Sequence, residues 1–455
     1  MSNELVPILV LVAAIAIVFA LIIKLKINAF IALIAAATAV GVLSPTIPFA
    51  EVMPKVAELF GTACGKIGIV IALAALVGQC MMESGAADKI VRVFVRALGV
   101  ERASLSMVSA AGVLAIPVFF DTVFYLMVPL ARAMRIRTGR NYVLYIMAVA
   151  AGGVVTHSLV PPTPGPLAMA ANLNIDLGVM ILVGVIFSIP TAAVGWLFSV
   201  YVDRKAEIPF RETSGMSIAE LEKVSNAEDS TLPGFFESLL PIALPVVLIT
   251  SYTMASAAAP DSFFTKVTAF LGNPNFALLV SAAFSLYLVA KYRGHSLTEL
   301  AASVETAFAS GGLIILITAG GGAFGGMLQL AGVGDSLGRI AQAFHVPVLV
   351  LAFLLAMLFK VAQGSGTVAM MTVSAIMVSL TQGAQLGFHP VYLALVIGSG
   401  SLFGSWMNDS GFWVFAKMSG LTEAEALKTW TPLLAVVGLT GFVLCSLGAI
   451  LVPLT

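Results

Sequence analysis

The chain has 455 residues, 60% of them hydrophobic and 10% charged, and its 23 basic and 23 acidic side chains give a formal net charge of zero. Soluble domains carry about 25% charged residues, so a water-soluble enzyme or binding module is excluded, and the neutral balance offers no basic surface to a nucleic acid. Cys64, Cys80 and Cys445 lie in apolar stretches without CxxC or metal-ligand spacing; they read as buried thiols with no redox or zinc role.

The first apolar span, 6–23, follows Met-Ser-Asn-Glu without a basic n-region. It is therefore predicted to be a transmembrane helix rather than a signal peptide. Stretches 67–82, 178–200 and 431–451 likewise approach the roughly 20 apolar residues that cross a bilayer. Cytoplasmic loops are enriched in Lys and Arg, so Lys24 and Lys26 put the first loop inside and the N-terminus outside. The stretches 48–60 and 296–308 carry charges on one side and are predicted to be interfacial helices flanking a scaffold. Glu58 and Glu305 belong to them and are read as solvated.

Residues 104–130 are preceded by Lys89, Arg92, Arg96 and Arg102 and followed by Arg132, Arg135, Arg137 and Arg140, with Pro117 between. Both ends then lie on the cytoplasmic side, which predicts a re-entrant hairpin over about 104–131. The one long hydrophilic stretch, 203–235, reads as a cytoplasmic linker between a first half, 1–202, and a second, 236–455.

At an offset of 247 the halves match: Asn28 meets Asn275, Glu58 Glu305, Gly65 Gly312, Gly85 Gly332, Asp88 Asp335, Tyr145 Tyr392 and Gly153 Gly400. Gly165 meets Gly411 after a one-residue slip. The second hairpin, about 346–380, has Arg339 alone among flanking Lys and Arg, beside His345 and His389, and is predicted to enter from outside. Lys291, Arg293, Lys417 and Lys428 mark the inside. Similar repeats with opposite charge bias are the signature of inverted-topology transporters. The expected architecture is an all-α polytopic membrane protein with two inverted repeats, about ten transmembrane helices and two re-entrant hairpins. Both termini are expected outside, in a bacterial inner membrane.

Four breaks interrupt the apolar pattern: Pro117-Val-Phe-Phe-Asp121-Thr122, Val160-Pro-Pro-Thr163-Pro-Gly165-Pro166, Gln363-Gly364-Ser365-Gly366-Thr367 and Met407-Asn408-Asp409-Ser410-Gly411. Unwound backbone at membrane depth is tolerated only beside protein or a wet cavity. Half-helix N-termini meeting there would suit a carboxylate, with Thr122, Thr163, Ser365, Thr367, Asn408 and Ser410 reading hydroxyls. The glycines of 320–326 read instead as a packing face. Ionisable residues inside spans are functional by default. Asp121 and His157 are the candidates for proton uptake. Asp409 either binds substrate or caps a half-helix, and Lys360 either serves the tip or forms a salt bridge. His295, His345 and His389 fall near loops and receive no role. No GxxxxGK[ST] phosphate loop, nucleophile elbow or HExxH motif occurs, which argues against an ATP-driven pump and a membrane enzyme.

Met407-Asn-Asp-Ser-Gly-Phe-Trp-Val-Phe415, followed by Leu427-Lys-Thr-Trp430, resembles the C-terminal signature of the gluconate permease family, the gluconate:proton symporters of the wider ion-transporter superfamily. Ala362-Gln-Gly-Ser-Gly-Thr-Val-Ala369 and His157-Ser-Leu-Val-Pro-Pro-Thr-Pro-Gly-Pro166 also look like family motifs, and the resemblance covers essentially the whole chain. It implies proton-coupled uptake of sugar acids and related small hydroxylated or amino monocarboxylates. It also implies a homodimer with a fixed scaffold and a moving transport domain. Two positions depart from the family pattern: Asp121-Thr122 stands where gluconate-type members usually carry a Glu, and Thr163 where they usually carry a second His.

The expectation is a secondary transporter that imports gluconate or a related acid with protons, and needs no partner beyond lipid, substrate and a second copy. Its substrate set is Asp121, Thr122, Thr163, Gly165, Gly364, Ser365, Gly366, Thr367, Asn408, Asp409, Ser410 and Gly411; Asp121 and His157 carry the coupling proton. No metal or organic cofactor is expected. Sodium is the alternative coupling ion, since Gly-Ser-Gly-Thr opposite Asn-Asp-Ser-Gly offers carbonyl and hydroxyl oxygens.

Overall fold

A computed structural model describes residues 2–206, 208–211, 231–333, 336, 347–381, 386–407 and 409–454. Among these the chain is helical, with no strand. Seven of the helices are long and apolar enough to cross a membrane, and shorter apolar helices accompany them.

In the first half the helices are α1 (Ser2–Phe19), α2 (Ala29–Leu43), α3 (Val52–Ser84), α4 (Ala86–Leu98), α5 (Ala103–Leu114), α6 (Phe120–Thr138), α7 (Tyr142–Leu159), α8 (Pro164–Asn172) and α9 (Leu177–Lys205). The second half contributes α10 (Phe235–Ala258), α11 (Phe263–Leu271), α12 (Pro274–Arg293), α13 (Leu297–Leu330), α14 (Val348–Gln363), α15 (Gly366–Thr381), α16 (Pro390–Gly400), α17 (Ser410–Met418) and α18 (Glu423–Leu451). The element pattern recurs: α17 and α18 begin and end 246 residues after α8 and α9. Asp409 and Asp176 cap α17 and α9 by accepting from Gly411 N and Val179 N, the acceptor role Asp favours at a helix start.

The stretches 48–60 and 296–308 are not separate interfacial helices. Apart from a 3-10 turn over Phe49–Glu51, they are the opening turns of α3 and α13, which run unbroken for 33 and 34 residues. Gly61 and Gly65 stand in α3 without breaking it, because an isolated glycine costs a helix only about 1 kcal/mol.

The helices sort into two packed groups. In one, α3 lies along α13, with α2 and α12 beside them. In the other, α7 and α16 are buried along their lengths, with α5, α6 and α9 around α7 and α14 and α18 around α16. The groups meet chiefly where α13 packs on α15. Glycine sets that spacing, since a methyl on Gly325 would stand 2.4 Å from the Ala375 Cβ; inside the first group, one on Gly322 would stand 2.4 Å from the Ala63 Cβ of α3. Contact is tighter still inside the second group, where a methyl on Gly152 would stand 2.1 Å from the Val108 carbonyl oxygen of α5. Gly152→Ala is therefore expected to lower the melting midpoint of the detergent-solubilised protein by several degrees, at an overpacking cost of about 1–3 kcal/mol. Gly61→Ala, which meets nothing within 4 Å, is the control that holds or slightly raises the midpoint. Equal midpoints would refute the packing argument.

The stretch read as a linker is partly built into the core. α9 continues to Lys205 and α10 starts at Phe235, while 207 and 212–230 lie outside the described residues. Arg132, fully buried on α6, donates to Tyr142 Oη at 3.0 Å and to the Arg211 carbonyl at 2.5 Å. The Phe210 ring lies 4.8 Å from the Arg132 guanidinium carbon. Tyr142 Oη donates to the Ser419 carbonyl at 2.5 Å, and Arg211 forks onto Glu425 at 2.6 and 2.8 Å. The start of the connection thus clasps α6 and α7 of the first half to the α17–α18 turn of the second.

Candidate functional site

Two helix–turn–helix tips approach each other. In the first, α5 ends at Leu114 and α6 starts at Phe120, its N-cap Phe119 offering no side chain to the free N–H groups. In the second, α14 ends in a left-handed Gly364 (φ +86°), whose N–H bonds to the Lys360 carbonyl; that backbone favours glycine. The chain then turns directly into α15, with the Ser365 hydroxyl accepting from Val368 N at 3.2 Å. α7 and α16 end beside the same cavity, and Thr163 closes the first of these ends by donating to the His157 and Val160 carbonyls at 2.8 and 2.7 Å.

Between these ends lies a cavity of about 200 Å³. From the predicted set it gathers Asp121, His157, Ser365, Gly366, Thr367, Asp409, Ser410 and Gly411. Thr122, Thr163, Gly165 and Gly364 stand outside its lining. Gly165 sits behind the wall, since a methyl there would meet the Met370 Cε at 2.2 Å, and Met370 is lining. Gly364 takes part through its carbonyl. Asn408 lies outside the described residues.

The wall's electrostatic centre is Lys360 with Asp409. Lys360 Nζ donates to Asp409 Oδ2 at 2.7 Å and to the Gly364 carbonyl at 2.7 Å, and the two residues are 4% and 8% exposed. An ammonium has three donors, so one remains for a guest. Asp409 also accepts from Gly411 N and from the Ser405 hydroxyl, which in turn accepts from Trp430 Nε1 at 2.7 Å. Asp409 thus caps α17 and pairs with Lys360 at once. Asp121 lines the same cavity and has no hydrogen bond or ion pair among the described residues. His157 packs on Phe119 with ring centroids 6.1 Å apart, and its Nδ1 is buried without a partner among the described residues.

Sequence reasoning missed the aromatic floor. Trp430 packs tilted against Phe120 and Phe415, with ring centroids 5.4 and 5.2 Å apart, and with Phe119, Phe120 and Leu434 it lines the cavity. Ser158, Ser401 and Leu402 were missed as well. The available signal was Leu427-Lys-Thr-Trp430 in the C-terminal signature; buried aromatics in an apolar helix otherwise look like any core. No cluster of three or more His, Cys, Asp or Glu side chains suited to a metal ion occurs among the described residues.

Chemically the cavity holds one ammonium, two carboxylates, an imidazole and several hydroxyls, with no activated nucleophile among its lining residues. Such a lining can meet a small polar guest through charge and hydrogen bonds.

A family model described as "GntP family permease" matches residues 6–451. The chain is 36% identical over 434 residues to the gluconate permease of Pseudomonas aeruginosa, covering 94% of each protein. It is 31% identical over 432 residues to the inner membrane permease YgbN of Escherichia coli, covering 93% of this chain and 94% of that one. In fold it is similar to the crystal structure of the YdaH transporter of Alcanivorax borkumensis, with a TM-score of 0.62, 14% identity, and 94% and 98% of the two chains covered.

Proposed function

The chain belongs to the GntP family of permeases, and on that premise we propose that it imports gluconate or a related small hydroxylated organic anion coupled to protons. Its curated relatives carry the names of permeases and transporters rather than enzymes. The observation that carries the reading is the cavity in which the Lys360–Asp409 pair, the unpartnered Asp121 and the half-buried His157 converge on two tips from opposite halves.

Charge counting supplies the coupling. With Asp121 and Asp409 ionised and Lys360 charged, the cavity carries one net negative charge, and a carboxylate entering beside Asp121 is repelled. Proton uptake on Asp121 removes that repulsion, so anion and proton enter together. Lys360's third donor and the N–H groups at the starts of α6 and α15 take the carboxylate, while Ser365, Thr367, Ser410 and Asp409 take hydroxyls. Thr122, Thr163, Gly165 and Gly364 support the binding set from around this lining, and Asn408 belongs to the proposed set. His157 relays the proton.

The motion we propose is an elevator-type one. The group around α7 and α16, carrying both tips as re-entrant hairpins, moves against the α3–α13 group along the glycine-lined seam. Opposed orientation of the two halves, about ten spans, a homodimer built on the α3–α13 group and an inner-membrane location with both termini outside complete the proposal.

The test is accumulation of labelled gluconate in proteoliposomes under an imposed inward proton gradient or sodium gradient, each alone. Accumulation with protons alone is expected. Accumulation that needs sodium would overturn proton coupling and move the coupling ion to the oxygens of Ser365, Thr367 and their neighbours. No uptake under either gradient would overturn gluconate as substrate.

A further inference from the structure

A second cavity, of about 170 Å³, lies away from the first and takes no part in the mechanism above. One wall comes from α3 and α13 through Thr62, Lys66, Thr318 and Gln329, the other from α8 and α15 through Asn172 and Ala375. It therefore straddles the seam between the two helix groups. α15 lines both cavities, the first at Gly366, Thr367 and Met370 and the second at Ala375 and Val378. At 1.5 Å per residue, Thr367 and Ala375 are separated by about 12 Å along that helix. α8 follows the same course, with Gly165 packed behind Met370 and Asn172 at the second cavity. Both helices lead from the first chamber to the second.

The polar groups of this chamber are sorted by kind. Lys66 is exposed and has no hydrogen bond or ion pair among the described residues; the nearby Glu58 is taken by Lys55 at 2.9 Å. An unpaired ammonium on an apolar helix is costly to keep, and no side chain of the chamber neutralises it. Three of the other groups present acceptors. Thr62 and Thr318 give their protons to the Glu58 and Ile314 carbonyls at 2.9 and 2.7 Å, which leaves their lone pairs free. Asn172 donates Nδ2 to Ser374 Oγ at 2.8 Å, which leaves its Oδ1 as an acceptor. One cation with several acceptors around it fits a carboxylate that carries hydroxyl donors.

We infer that this chamber is a second, transient station for the hydroxylated carboxylate, where Lys66 captures the anion on its way to or from the Lys360 cavity. The inference rests on the transport reading above. Its physical basis is focusing: a lone charge in a cleft with low-dielectric walls raises the local concentration of a counter-ion and so its rate of entry.

The experiment compares wild type, Lys66→Gln and Lys66→Arg in gluconate uptake at several ionic strengths. Lys66→Gln is expected to raise KM about tenfold with kcat nearly unchanged and to flatten the salt dependence of kcat/KM. Lys66→Arg should restore most of both. An unchanged KM overturns the inference, as does a fall in kcat at constant KM, which would mark a structural role. An effect of Lys66→Gln that appears only in vesicles containing phosphatidylglycerol, and vanishes in phosphatidylcholine, overturns it in favour of a lipid headgroup. Equilibrium binding of labelled gluconate to detergent-solubilised protein gives a readout that needs no transport. A weaker, Lys66-dependent component that survives Asp121→Asn is expected there. Its absence overturns the second station whatever the uptake shows, whereas a wild type that transports no gluconate overturns the transport reading instead.

Discussion

Lys360→Met is expected to cut gluconate uptake to about a hundredth of wild type, because the substrate carboxylate loses the ammonium it meets, a loss of about 2–5 kcal/mol for a buried hydrogen-bonded charge pair, and each 1.4 kcal/mol is about tenfold. Lys360 and Asp409 are 2.7 Å apart and nearly excluded from solvent. Losing the ammonium leaves Asp409 buried and uncompensated, so the single variant should also melt at a lower temperature. The double variant Lys360→Met with Asp409→Asn separates the two effects. Asn is as good a helix cap as Asp and can keep the bond from Gly411 N, while the stranded charge is gone. Its melting midpoint is expected to return towards wild type while uptake stays lost, because the substrate carboxylate has no cation left to meet. Recovered uptake in the double variant would show that Lys360 serves only to neutralise Asp409, and that the anion is held by helix N-termini alone.

That pair also marks the limit of what the sequence discloses. Proline and glycine punctuate an apolar chain, so the turn holding Pro117, the break after Leu159 and the left-handed Gly364 are legible as interruptions. The recurrence of Asp121, Ser365 and Asp409 beside them points to one locus. What a linear pattern lacks is partnership. Lys360 and Asp409 are 49 residues apart and bond through a tertiary approach of α14 and α17. Trp430 becomes a cavity wall only because Ser405 holds its indole and Phe120 packs against it. Thr163 shows the reverse case: its hydroxyl is satisfied by two carbonyls at the end of α7, so it shapes the break behind the cavity lining. Charge in the 203–235 stretch likewise suggests a solvated connection, yet Arg211 is clamped by Glu425 and its carbonyl receives Arg132. Composition registers that a segment is polar, not that its polar groups have found buried partners.

Asp121→Asn is the second variant with a large expected effect, and it acts on coupling rather than on holding the substrate. Asn occupies the same volume and remains neutral, so it reproduces the protonated carboxyl that lets an anion sit beside Asp409. Uphill accumulation driven by an inward proton gradient is expected to disappear, falling to the level set by passive equilibration. Exchange of external labelled gluconate for internal unlabelled gluconate, which needs no net proton movement, is expected to persist at a reduced rate. The pH dependence follows with a definite sign. In wild type, influx falls as external pH rises, because fewer molecules present a protonated Asp121 to the incoming anion; in the variant that slope flattens. His157→Gln tests the relay separately. Its Nδ1 has no partner among the described residues, so removing the imidazole disturbs no existing bond at that atom and should slow proton-driven uptake without abolishing exchange. If Asp121→Asn still concentrates gluconate against its gradient, the proton enters elsewhere, and His157 becomes the group whose substitution must remove accumulation.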